Sequence, residues 1–168
     1  MDQYWKEISK IHLLTKHYLL LAEEIGEEIF IQPLKEHRDA YDHIIRIYGM
    51  ELSNKKIENP KQYKISNMKK ALGHEYRAFF DTADWLSLIC RKKIRMLLEG
   101  KNSVDIEKKL PEYPKIKERL FKIPQEIAEL RKEKDIGDSI GIIREVDSYS
   151  LVLDEVLEYY HIFYDLFA

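Results

Sequence analysis

The sequence predicts an all-α protein, an antiparallel bundle of four to five long helices. Two observations carry that reading. Apolar residues recur at alternating spacings of three and four over most of the 168 residues, while no six-residue stretch alternates as a strand does. Six glycines and five prolines are too few for a turn-rich β fold or for a glycine-loop nucleotide-binding fold. The length suits one domain, residues 1–168, with a core of its own.

The first helix is expected from Asp2 to Ile31, on the seam Tyr4, Ile8, Ile11, Thr15, Tyr18, Ala22, Ile25 and Ile29. Gln32-Pro33 should break or kink it, since the residue before a proline is biased away from the α region. A second helix then starts with Pro33 in its first turn and runs to about Met50. Its core seam is read as Leu34, Arg38, Tyr41, Ile45, Tyr48 and Leu52. Ser53 to Asn67 is polar, contains Asn59-Pro60, and reads as a loop.

The third helix is expected from Met68 to Glu99, seamed by Leu72, Tyr76, Phe79, Ala83, Leu86, Cys90, Ile94 and Leu97, with Gly100 closing it. Ser103 to Glu107 reads as a short capped helical turn. The fourth long helix spans Tyr113 to Lys134 with Pro124 as a kink. Asp135-Ile136-Gly137 is the turn, and Asp138 or Ser139 caps a last helix running to Phe167. Its aromatic end (Tyr159, Tyr160, Phe163, Tyr164, Phe167) suits either core burial or a homodimer interface.

Composition removes several function classes. A lone cysteine, Cys90, excludes an intramolecular disulfide framework and reads as a core residue. The amphipathic start, Met1-Asp2-Gln3-Tyr4-Trp5-Lys6-Glu7, is not a signal peptide, and the Tyr18–Ala22 stretch is too short to span a bilayer. A cytoplasmic protein without membrane contact is expected. The lysine-, glutamate- and isoleucine-rich usage fits a thermophilic source or an AT-rich genome.

The net charge of −2 conceals a pattern. Residues 51–70 carry six basic and two acidic side chains and residues 91–122 eleven and five, whereas residues 123–168 carry four and eleven. Lys55, Lys56, Lys61, Lys64, Lys69 and Lys70 form one basic segment, and Arg91, Lys92, Lys93 and Arg95 another. Both suit either helix–helix complementarity or contact with a polyanion such as RNA.

The chemistry-bearing pattern is Arg38-Asp39-Ala40-Tyr41-Asp42-His43, an Arg-x4-His arrangement with a polar residue after the arginine. Here the sequence resembles the HEPN superfamily of all-α domains. The resemblance implies metal-independent endoribonuclease activity, or RNA binding, in a homodimer that brings two motifs together. Read from the residues, Asp39 and His43 are four apart and share a helix face, so Asp39 is placed to orient the imidazole. His43 would act as acid/base and Arg38 would stabilise the phosphate.

His74, Arg77, Asp81 and Asp84 form a polar stripe on the third helix; His74, Arg77 and Asp81 are the supporting candidates. No metal or other cofactor is expected: Glu158-Tyr159-Tyr160-His161 is a single Glu-x-x-His, and a dinuclear carboxylate bundle needs two. The competing reading is a non-enzymatic helical interaction module in which Arg38, His74, Arg77 and Asp81 only knit helices together.

Overall fold

A computed structural model describes residues 1–50, 52, 57–132 and 139–168. Among them lie six helices and no strand: α1 (Asp2–Gly26), α2 (Ile31–Gly49), α3 (Pro60–Leu98), α4 (Ser103–Lys109), α5 (Tyr113–Lys132) and α6 (Ser139–Phe167). The all-α class is as expected, with five long helices and one short one. Lys55 and Lys56, and the turn and cap expected at Asp135 to Asp138, lie outside the described residues. Among the described residues, no helix is long and apolar enough to cross a membrane. The chain divides into two compact units, Met1–Ala83 and Asp84–Ala168, and α3 runs through the division.

In the N-terminal unit, α1 ends earlier than Pro33 would make it end. Glu27 adopts the left-handed conformation (φ 59°, ψ 28°) and returns its N–H to the Glu23 carbonyl, which stops the helix at Gly26. Phe30 is extended, and α2 starts at Ile31 with Pro33 in its first turn. There the missing N–H is one of the donors a helix start leaves unpaired anyway. The α1 seam from Ile8 through Ile11, Thr15, Tyr18 and Ala22 to Ile25 is buried as read; Ile29 falls beyond the helix and is exposed.

The reading of α2 is corrected. Leu34, Tyr41, Ile45, Tyr48 and Leu52 face outward, Tyr41 being 62% exposed, and Arg38 shares that side. The inward face is Pro33, Ala40 and Ile47, with Glu36, His37, His43 and Ile44 half-buried between them. Apolar periodicity picked the wrong stripe because the true inward stripe is held by polar partners.

The long loop is corrected too. Asn59 Oδ1 accepts the Gln62 N–H at 3.0 Å and Pro60 occupies the first helical position, so the pair starts α3 instead of marking a loop. Lys61, Lys64, Lys69 and Lys70 therefore stand on a helix of 39 residues, about 58 Å long. The α3 seam from Leu72 to Ile94 is buried throughout.

Pair contacts give the directions within the unit. Trp5 meets Tyr48 and His12 meets His37, so α1 and α2 are antiparallel. Glu36 meets Arg77 while His43 meets Asn67, so α2 and α3 are antiparallel as well. The unit is an up–down–up three-helix arrangement cored by Ile11, Tyr18, Met68, Leu72, Tyr76 and Phe79. Each large side chain withdrawn from water there contributes about 1.5–3 kcal/mol.

In the C-terminal unit, Tyr113 meets Phe163 and Arg119 pairs with Glu155, so α5 and α6 are antiparallel. Gly100 takes φ +71° after α3, and the Asn102 side chain caps α4 through the Val104 N–H. α5 continues through Pro124 to Lys132. Of the aromatic tail, Phe163 is wholly buried and Tyr160 nearly so, which is core burial; Tyr164 remains exposed. Cys90 is buried, and that burial pushes its thiol up to about 12.

Two outcomes follow. Glu27→Gly removes the steric cost of a left-handed non-glycine residue and should stabilise the protein by about 1 kcal/mol, read as a higher melting midpoint. Cys90 should not react with an aromatic disulfide reagent at pH 8 in the native protein, and should titrate fully in guanidinium.

Candidate functional site

The polar residues of the N-terminal unit collect where α2 packs on α3, with one contribution from α1. α2 supplies the neighbours Glu36 and His37, and α3 supplies the neighbours His74 and Glu75. They pair crosswise: His74 Nδ1 lies 2.8 Å from Glu36 Oε2, and His37 Nδ1 lies 3.0 Å from Glu75 Oε2. Each helix thus gives one imidazole and receives one.

The Glu36 side holds the residues singled out from the sequence. Arg77 donates Nε–H to Glu36 Oε2 at 2.9 Å, and its Nη2 lies 2.7 Å from His74 Nδ1. When His74 Nδ1 carries a proton it donates to Glu36; when it does not, it accepts from Arg77. That nitrogen has a partner in both states, as a group that gives and takes protons requires. Burial works against the Glu36 charge, but the hydrogen bonds from His74 and Arg77, and their charges, outweigh it and hold the carboxyl below its ordinary 4.5.

His43 stacks on His74 with ring centroids 5.4 Å apart and planes 27° apart. Its Nδ1 faces Asn67 Oδ1 at 2.9 Å, and Asn67 spends its Nδ2 on the Tyr63 carbonyl at 3.0 Å. With the amide turned that way, Oδ1 only accepts, so His43 donates from Nδ1 and its neutral form keeps a lone pair on Nε2. The orienter of His43 is therefore Asn67, a residue the sequence reading passed over as loop.

Asp39 serves Arg38 instead. Arg38 donates Nε–H and Nη2–H to Asp39 Oδ1 at 2.9 and 2.8 Å, on the exposed side of α2. The Arg38 hydrogen bonds hold the Asp39 carboxyl below the usual range, and the charges of Arg38, His74 and His43 add to this. Arg38 and His43 do not bond to each other; Asp39 feels both. Asp81 lies half-buried one turn beyond Arg77.

The sequence reading missed a second cluster on the Glu75 side. Glu75 is buried, its side chain 4% exposed, and His12 of α1 places Nδ1 3.2 Å from each of its oxygens. The His12 and His37 rings meet edge to face at 4.7 Å. The only trace in the sequence is a Glu-His dipeptide on one helix and a His-Glu dipeptide on another; His12 is linked to neither by spacing.

In the C-terminal unit, Arg91 and Arg95 of the second basic segment border a groove of about 560 Å³ with Ile94, Leu98, Tyr113 and Lys117. Arg91 donates Nε–H to the Ser87 carbonyl. Burial, followed by the charge of Arg95, makes Arg91 less basic than usual.

Comparison of the chain with family models, with curated proteins and with solved structures found no match.

The depressed Glu36 acidity sets a pH dependence. A carboxyl that is a stronger acid folded than unfolded stabilises the protein above its unfolded value, and loses that contribution as pH falls through the folded value. Between pH 5 and pH 3 the native protein should therefore lose stability more steeply than Glu36→Gln, in urea melts taken across that range.

Proposed function

We propose that the N-terminal unit binds RNA and cleaves it by transesterification, with no metal ion at the reacting atoms. One observation carries the reading: His43 and His74 are stacked side by side, each with Nδ1 engaged by a fixed partner. Two imidazoles so placed supply the base and the acid that an internal phosphoryl transfer needs.

In this scheme His43 Nε2 takes the proton of a ribose 2′-hydroxyl. The 2′-oxygen attacks the adjacent phosphorus, the 5′-oxygen leaves, and His74 delivers a proton to it. The products are a 2′,3′-cyclic phosphate and a free 5′-hydroxyl. Arg38, exposed and donating twice to one oxygen of Asp39, supplies charge to the phosphate; Arg77 and Glu36 position His74. The HEPN-like Arg38-x4-His43 spacing supports the same reading. The lysines at 61, 64, 69 and 70 on α3 suit backbone contacts.

The outward apolar stripe of α2 favours a second element of the reading, a homodimer. Tyr41, Ile45 and Tyr48 lie exposed around the same helix that carries Arg38, and a second copy there would set two motifs near one another. A non-enzymatic interaction module would use that stripe for a different partner.

The test is an RNA oligonucleotide incubated with the full chain, products being read by their ends. Cleavage should yield cyclic phosphate and stop when the 2′-hydroxyl is replaced by hydrogen. His43→Ala and His74→Ala should each slow it by about 10²–10⁴-fold. No cyclic phosphate above the blank, or an unchanged rate in His43→Ala, overturns the reading.

A further inference from the structure

We propose that His12, His37 and Glu75 bind a divalent first-row transition-metal ion, through the Nδ1 atoms of the two imidazoles and a carboxylate oxygen of Glu75. Nothing in the cleavage scheme uses these three side chains, and they come from three different helices, α1, α2 and α3.

The spacing of the donor atoms is the first argument. His37 Nδ1 and His12 Nδ1 stand 3.0 and 3.2 Å from Glu75 Oε2, and one donor from each residue falls within 4.8 Å of the other two. Ligands about 2.1 Å from a common ion stand about 3.0 Å apart at adjacent octahedral positions and about 3.4 Å apart in a tetrahedron. Both separations from Glu75 Oε2 fall in that range.

Direction is the second argument. His37 Nδ1 is shut off from water and makes no hydrogen bond, although Glu75 Oε2 is 3.0 Å away. A hydrogen bond would need the ring to aim at that oxygen. A ring not aimed at that oxygen leaves its buried nitrogen open to a ligand other than the carboxylate. A buried nitrogen left unpaired is destabilising, and an ion would give it a partner.

Chemistry and access agree with this. Two imidazoles and one carboxylate suit Zn²⁺ and its neighbours, leaving further positions for water. Glu75 is buried while the His12 side chain is 46% exposed, so the cluster is closed on the protein side and open at His12. The ion also answers a weakness of the fold. α2 buries completely only Pro33, Ala40 and Ile47, of which Ile47 alone carries a long side chain. Coordination of His37 would pin α2 to α1 and α3 where apolar packing is thin.

The experiment is titration of chelator-stripped full-length protein with Zn²⁺ at pH 7.5, against a chromophoric competitor. One saturable site is expected, with affinity falling as the pH is lowered, because protons compete for the ligand atoms. His12→Gln, at a half-exposed position, should keep the fold by circular dichroism and weaken Zn²⁺ at least tenfold; His17→Gln, on the exposed side of α1, should bind as the parent does. Zn²⁺ should raise the melting midpoint of the parent and not that of His12→Gln. Absence of a saturable site, or equal affinity in parent, His12→Gln and His37→Gln, overturns the proposal. These readouts involve no RNA, so they stand or fall separately from the cleavage assay.

Discussion

The crossed pairing of α2 with α3 is the interaction on which the N-terminal unit depends. Glu36 reaches His74 while His37 reaches Glu75, so two adjacent residues on each helix are matched by two on the other. Ordinary helix packing would place large apolar residues at these positions. Here the fully buried positions of α2 are a proline, an alanine and one isoleucine, and specificity of docking falls to these histidine–glutamate pairs. Such pairs gain little net energy over apolar packing, because desolvation offsets their attraction. They do fix register: sliding α2 along α3 would take the His37 imidazole away from the deeply buried Glu75.

That arrangement explains why the polar chemistry is concentrated rather than scattered. Once Glu36 and His37 point inward, His43, two turns later on α2, meets Asn67 and His74. Arg38 stands on the exposed side of α2 with Asp39 as its counter-ion, and Asp39 is near enough to feel the charges of His74 and His43. One rotation of one helix therefore decides which of the candidate side chains share a site. It also leaves Tyr41, Ile45 and Tyr48 exposed on α2.

Much of the fold was legible in local pattern. The seams of α1, apart from Ile29, and of α3 were read correctly because each buries a continuous apolar stripe, and Gly100 because a positive φ follows the end of α3. Errors arose where one signal had two meanings. Asn59-Pro60 marks a turn in general, yet the same pair caps and opens a helix when the next residues stay helical. On α2 the stronger apolar stripe was taken for the core, since periodicity weighs hydropathy and ignores whether a polar stripe has partners. The candidate site was legible in part. His43 and His74 were named and do meet, whereas Asn67 and the His12–His37–Glu75 cluster had no signature.

By itself the sequence determined the class of the protein, the helices that bury apolar seams, and the presence of an arginine and a histidine five apart on one helix. Those are local properties, set by residue type at separations of three to five along the chain. The tertiary structure alone decided which face of α2 turns inward, that Asn67 and not Asp39 holds His43, and that residues 12, 37 and 75 converge on one point. Convergence from three helices depends on rotation and register between elements. No spacing within a single element encodes either.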